Sequence, residues 1–74
     1  MLLLTREREA RHWSRAELAR RAHMNAADVG KIEAGRVTAY PSQVRKLAKA
    51  LGWAPSEGHR LVEAVEESAR DNAA

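Results

Sequence analysis

The sequence predicts an all-α fold, a compact bundle of five short helices in one small domain. Three observations carry this expectation. Ala, Leu, Arg and Glu dominate the 74 residues, no β-branched alternation runs through them, and Pro41 and Pro55 alone interrupt the chain. Two capped helix starts follow one another between Trp13 and Gly35. Val44, Leu47, Ala48 and Leu51 then fall at i, i+3, i+4 and i+7, the clearest amphipathic pattern in the chain.

The first helix is expected over Leu3–His12, with Leu3, Leu4 and Ala10 as a thin apolar face and Arg6, Glu7, Arg8, Glu9 and Arg11 as a charged one. The second runs over Arg15–Ala22. Ser14 and Glu17 form its capping box, Trp13 and Leu18 its hydrophobic staple, and Leu18, Ala19 and Ala22 face the core. Ala22-His23-Met24 is a tight turn. The third helix, Ala26–Ala34, repeats the start with Asn25 as cap, Asp28 three residues on, and Met24 and Val29 as staple. Val29 and Ile32 point inward, and Gly35 ends it. Two helices of about nine residues joined by so short a turn make a helix-turn-helix.

Gly35 to Tyr40 is a loop, and Pro41 stands at the first turn of a fourth helix, Pro41–Leu51. Arg45, Lys46 and Lys49 occupy its outer side, and Gly52 ends it. Ser56 is expected to cap a fifth helix, Glu57–Arg70, with Leu61, Ala64, Val65 and Ser68 as inner stripe and Val62 and Ala69 beside it. Residues 1–70 then form the domain, and 71–74 fray.

Ser14, Glu17, Leu18 and Ala19, followed by Val29, Ile32, Glu33 and Gly35, resemble the helix-turn-helix of the phage-repressor and Cro-type regulators, the XRE family. That family reads S-Q-x-x-L-A, a small-hydrophobic-Ser turn, then I-x-x-I-E-x-G. The likeness extends through Arg8 upstream and Leu47-Ala48-Lys49-Ala50-Leu51-Gly52 downstream, covering residues 4–53. It implies a lambda-repressor-like DNA-binding domain. The implied function is sequence-specific double-stranded DNA binding by a small transcriptional regulator, a repressor acting as a homodimer on a palindromic operator. It also implies a bacterial or phage-encoded protein of the cytoplasm, associated with the nucleoid, that uses no cofactor.

The resemblance assigns roles residue by residue. The third helix enters the major groove, where Ala26, Ala27 and Lys31 touch base edges. An alanine cannot hydrogen-bond a base but can meet a thymine methyl, and Lys31 can donate to a guanine edge or a phosphate. Ser14, Arg15, Asn25, Arg36 and Thr38 are the implied phosphate contacts. Arg15 stands where the family usually has a phosphate-binding glutamine. Arg8 is placed for a partly buried ion pair with Glu33, which the fork geometry of arginine suits. Trp53 and Pro55 lie where repressor-type dimers pair, and Trp53 otherwise closes the monomer core.

Departures from the family pattern bear on these roles. His23 stands where glycine is usual because φ is positive there. Gly30 costs about 1 kcal/mol of helix stability relative to alanine. Asp28 opposes the DNA charge unless it caps the helix or meets a cytosine. Glu7 and Glu9 replace apolar or small residues, which implies a loosely packed first helix. With two alanines at reading positions, the expected specificity comes from few contacts plus DNA shape, or from a bulky neighbour approaching closely over the small residues.

Charge is uneven along the chain. Residues 1–53 hold 11 Lys and Arg against 5 Asp and Glu, net +6, while residues 54–74 hold 2 against 5, net −3. A basic body with an acidic tail suits an anionic partner such as DNA. The rival reading is a protein-interaction module, antitoxin-like or partner-dependent, that docks through its small-residue helix face or its acidic tail. An enzyme is not expected, because no His–carboxylate pair, nucleophile motif or Gly-rich phosphate loop occurs and so small a bundle offers no deep pocket. The chain has no cysteine, and His12, His23 and His59 lack ligand spacing, so no metal site is expected. The apolar start Met1 to Leu4 is too short for a signal peptide core or a membrane span, which points to the cytoplasm.

Overall fold

The computed structural model describes residues 1–65 of the protein. Four α-helices, α1 (Leu3–Ala10), α2 (Arg15–Arg21), α3 (Ala26–Glu33) and α4 (Pro41–Ala50), are followed by a 3₁₀ helix, η1 (Pro55–Val62). The fold is all-helical. Leu4, Leu18, Val29, Ile32, Leu47 and Leu61 are fully buried, so each of the five elements gives the core at least one large side chain. Each such burial contributes roughly 1.5–3 kcal/mol. Ala19, Ala22 and Ala48 are also buried, and their small size lets the helix backbones approach closely.

All four α-helices end the same way. His12, His23, Gly35 and Gly52 each adopt a positive φ, 59°, 56°, 74° and 80°, immediately after the helix C-cap. Each donates its N–H three residues back, to Glu9, Arg20, Ile32 and Lys49. The next residues, Trp13, Met24, Arg36 and Trp53, donate to the carbonyls of Arg8, Ala19, Lys31 and Ala48. These are Schellman motifs, and they satisfy carbonyls that a bare helix end leaves orphaned. In three of the four, the second residue (Trp13, Met24 or Trp53) then packs against the core. Histidine at two of these positions carries a steric cost that glycine avoids.

Helix α1 ends at Ala10, two residues before the expected boundary, because His12 is a capping residue and not a helical one. Ala10 is exposed, whereas Arg8 is buried on the inner face one turn after Leu4. Charged side chains tie this helix down in place of a second apolar row. Arg11 Nη1 donates to the Glu7 carboxylate at 3.0 Å, and Nη2 donates to the Leu51 carbonyl at 2.9 Å, which joins α1 to the end of α4.

The helix starts are simpler than expected. Ser14 Oγ accepts from the Glu17 N–H at 3.0 Å, but the Glu17 carboxylate turns to Arg20 and Arg21 and the box is only half formed. Asn25 Oδ1 accepts from the Ala27 N–H at 3.3 Å, not from Asp28. At α4, Gln43 Oε1 reaches back to accept the Tyr40 N–H at 2.9 Å.

The expected fifth helix requires correction. Pro55–Val62 is a 3₁₀ helix with Ala54 as its cap, Ser56 lies inside it, and Glu63 is already extended. Two long-range contacts impose this. Gly58 sits so close to α4 that a Cβ there would meet Val44 Cγ1 at 2.6 Å and the Val44 carbonyl oxygen at 2.9 Å. The N-terminus of α1 has no side-chain cap, and the Glu63 carbonyl takes its Leu3 N–H at 2.9 Å. Leu2 and Ala64 form an isolated antiparallel bridge, and Val65 donates to the Met1 carbonyl at 2.8 Å. Leu61 is buried as expected, but Ala64 is exposed and belongs to no inner stripe. The expected continuation through Ser68, Ala69 and Arg70, and the fraying of 71–74, lie outside the described residues. No helix among the described residues is long and apolar enough to cross a membrane.

Candidate nucleic-acid interface

Helices α2 and α3 pack through Leu18, Ala19, Val29 and Ile32, which turns the opposite face of α3 to solvent. Ala26, Ala27, Lys31 and Ala34 are exposed there, and Gly30 between them has no side chain to present. A shallow depression of about 280 Å³ on this face is lined by Arg15, Ala27, Gly30, Lys31, Ala34 and Arg36. Three cations from three successive elements thus surround a floor of small residues. Arg36 is placed by the helix-ending motif itself, its N–H bound to the Lys31 carbonyl at 2.9 Å. Ala26 is exposed at the start of α3 but does not line the depression.

Ser14 and Asn25 are exposed caps at the N-termini of α2 and α3. Thr38 is exposed but lines a neighbouring depression with Leu2, Ile32, Gly35, Val37, Ala39 and Val62. Asp28 lies in the first turn of α3, where a carboxylate complements the helix dipole.

Beneath the depression the structure brings Arg8 and Glu33 together. Arg8 Nε donates to Glu33 Oε2 at 2.8 Å, Nη2 donates to Oε1 at 3.1 Å, and Nη1 donates to the Trp13 carbonyl at 2.7 Å. The Glu33 side chain is 2% exposed and that of Arg8 11%. A second arginine shares this carboxylate, because Arg15 Nε donates to Glu33 Oε1 at 3.2 Å while its side chain stays 58% exposed. Sequence reasoning missed this contact. It spans 18 residues, and no local pattern marks it.

The remaining arginines of α2 are committed elsewhere. Hydrogen bonds from Arg20 and then Arg21 hold the Glu17 carboxyl below its ordinary range, and the same contact raises Arg20. Arg21 also lies over the Trp13 ring, 4.3 Å from its centroid. Trp53 is half-buried against the core with the Arg60 guanidinium 5.3 Å above its ring. Pro55 lines an apolar groove of about 610 Å³ between α4 and η1, with Pro41, Val44 and Val62 among its walls. Val37, Tyr40 and Val62 are the large exposed apolar side chains among the described residues, and Val62 lines this groove. No group of three His, Asp or Glu among the described residues could hold a metal ion.

A family model described as a helix-turn-helix domain matches residues 2–61. The chain belongs to the helix-turn-helix domain family. The match is consistent with an XRE-type regulator, and it spans every element from the bridge at Leu2 to the buried Leu61. A helix-turn-helix domain suggests DNA binding, and the family is typically non-enzymatic. No curated protein and no solved structure matches the chain.

Proposed function

We propose that this helix-turn-helix domain is a sequence-specific transcriptional regulator, a repressor that binds a palindromic DNA operator as a homodimer. The observation that carries the reading is the rim of Arg15, Lys31 and Arg36 around the small-residue face of α3. Cations flanking an exposed helix face with no bulky side chains between them suit the major groove. Lys31 donates to a guanine edge, and the methyls of Ala26 and Ala27 meet thymine methyls. Arg15, Arg36 and Thr38 hold phosphates.

Ser14 and Asn25 serve both the fold and the DNA. Each uses its side-chain oxygen as a helix cap, at 3.0 Å and 3.3 Å. The hydroxyl hydrogen of Ser14 and the amide NH₂ of Asn25 remain as donors to phosphate oxygens. Few groups read bases directly, so sequence-dependent DNA shape supplies the rest of the specificity.

A second copy would use the apolar groove that holds Pro55, flanked by Tyr40 and Val62, and place two recognition helices about 34 Å apart. Trp53, covered by Arg60, stays with its own core. The same exposed apolar side chains favour a second reading, in which a protein partner docks there and supplies the specificity. Selection of bound duplexes from a randomised pool at two salt concentrations separates the two. An enriched palindrome with half-sites one helical turn apart supports the dimeric regulator. Salt-sensitive binding with no enriched sequence favours the partner-dependent module.

A further inference from the structure

We infer that Glu33 is a positioning residue for DNA binding: it holds Arg15 by Nε so that the two terminal NH₂ groups of that guanidinium are presented together to one phosphate. The inference rests on the reading of this face as the DNA-binding one and adds a mechanism to it.

Three observations support it. The first is the division of labour at the carboxylate. Arg8 makes two bonds to Glu33, 2.8 Å to Oε2 and 3.1 Å to Oε1, and Arg15 adds a third to Oε1 at 3.2 Å through Nε alone. The second is burial. The Glu33 side chain is 2% exposed and fixed by Arg8, so it is a rigid anchor, while that of Arg15 is 58% exposed and lines the depression with Lys31 and Arg36. The third is the path of the Arg15 side chain. A Cβ built at Gly30 would lie 3.8 Å from Arg15 Cδ, so the stem of Arg15 crosses the outer face of α3 at its glycine.

An arginine held this way loses less freedom when it meets a phosphate, because the ordering has been done in the unbound protein. One charge is also conserved where two would cancel. Two arginines share one carboxylate, so the cluster keeps a net positive charge at its exposed end. Lysine cannot reproduce the arrangement, since an ammonium held by Glu33 has no pair of NH₂ groups to present side by side to one phosphate.

The test compares the full chain with its Arg15→Lys and Arg15→Ala variants. Binding to a fixed mixed-sequence duplex is measured by fluorescence anisotropy across a salt series, and folding is checked by thermal melting. The exposed position of Arg15 leaves both variants folded. The expected result is that Arg15→Ala binds roughly tenfold more weakly, with a salt slope shallower by about 0.9 per protomer. Arg15→Lys is expected to match Arg15→Ala within about twofold in affinity, because an ammonium held by Glu33 offers the phosphate no paired NH₂ groups. An Arg15→Lys variant that binds with wild-type affinity and slope overturns the inference, since charge alone would then suffice. An Arg15→Ala variant equal to wild type overturns it too, and leaves DNA binding intact. Wild-type protein with no salt-sensitive duplex binding removes both the inference and the functional reading.

Discussion

Arg8 serves two hydrogen-bonding groups that have little access to water. Replacing it with alanine strands most of the Glu33 carboxylate and removes the donor to the Trp13 carbonyl, with Arg15 left as the one remaining partner of Glu33 among the described residues. Breaking a buried ion pair from one side costs about 3–5 kcal/mol, and a domain of this size has total stability of only about 4–11 kcal/mol. Arg8→Ala is therefore expected to unfold at much lower urea than wild type, read by far-ultraviolet circular dichroism. At the half-exposed Glu17 the effect is one of pH. Hydrogen bonds from Arg20 and Arg21 depress its carboxyl below the ordinary value of 4.5, so its contribution is complete above that value and is lost as pH falls through the folded one. The difference in melting temperature between wild type and Glu17→Gln should shrink steadily from pH 6 towards pH 3. A difference that stays constant over this range would mean that the cluster contributes no pH-dependent stability.

Within the elements, two glycines on helical segments are expected to respond to alanine with opposite signs. At Gly58 a Cβ would collide with Val44 at 2.6 Å, and with its backbone oxygen at 2.9 Å, so the neighbour cannot simply rotate away. Gly58→Ala should cost about 1–3 kcal/mol as overpacking. At Gly30 the nearest atom is Arg15 Cδ at 3.8 Å, an ordinary contact. Gly30→Ala should therefore stabilise α3 by about 0.5–1 kcal/mol. Chemical denaturation of both variants checks the pair, and equal signs would refute the packing argument. The same contrast explains which elements were legible in the sequence. The starts and stops of α2, α3 and α4 rest on caps and turn residues within a few positions of the helix, such as Ser14, Gly35, Pro41 and Gly52. The end of α1 was misread because histidine at position 12 does a turn residue's work. The fifth element depends on Val44 lying against Gly58 and on Leu3 needing the Glu63 carbonyl, and neither is a local property. In the site, the Arg8–Glu33 pairing could be inferred only through the family resemblance. The Arg15–Glu33 contact has no sequence signal of its own, because it depends on how α2 is laid against α3.

Across the whole molecule, residues 1–53 carry 11 Lys and Arg, and the structure commits several of them to internal pairs. Arg8 is consumed by Glu33, Arg11 by Glu7 and the Leu51 carbonyl, and Arg20 and Arg21 by Glu17. The cations left on the proposed DNA face are Arg15, Lys31 and Arg36. Each phosphate neutralised contributes about 0.9 to the slope of log K against log salt. Three contacts per protomer then give a slope of about −2.7, and a bound dimer about −5.4. The assignment of charges is testable because it divides the arginines and lysines into two classes. Lys31→Ala and Arg36→Ala should each make the slope shallower by about 0.9 per protomer, whereas Arg20→Gln should leave it unchanged. Anisotropy titrations of one duplex over a tenfold range of salt would read all three. If Arg20→Gln lowered the slope as much as Lys31→Ala, binding would follow the overall positive field of the bundle and not the face of α3.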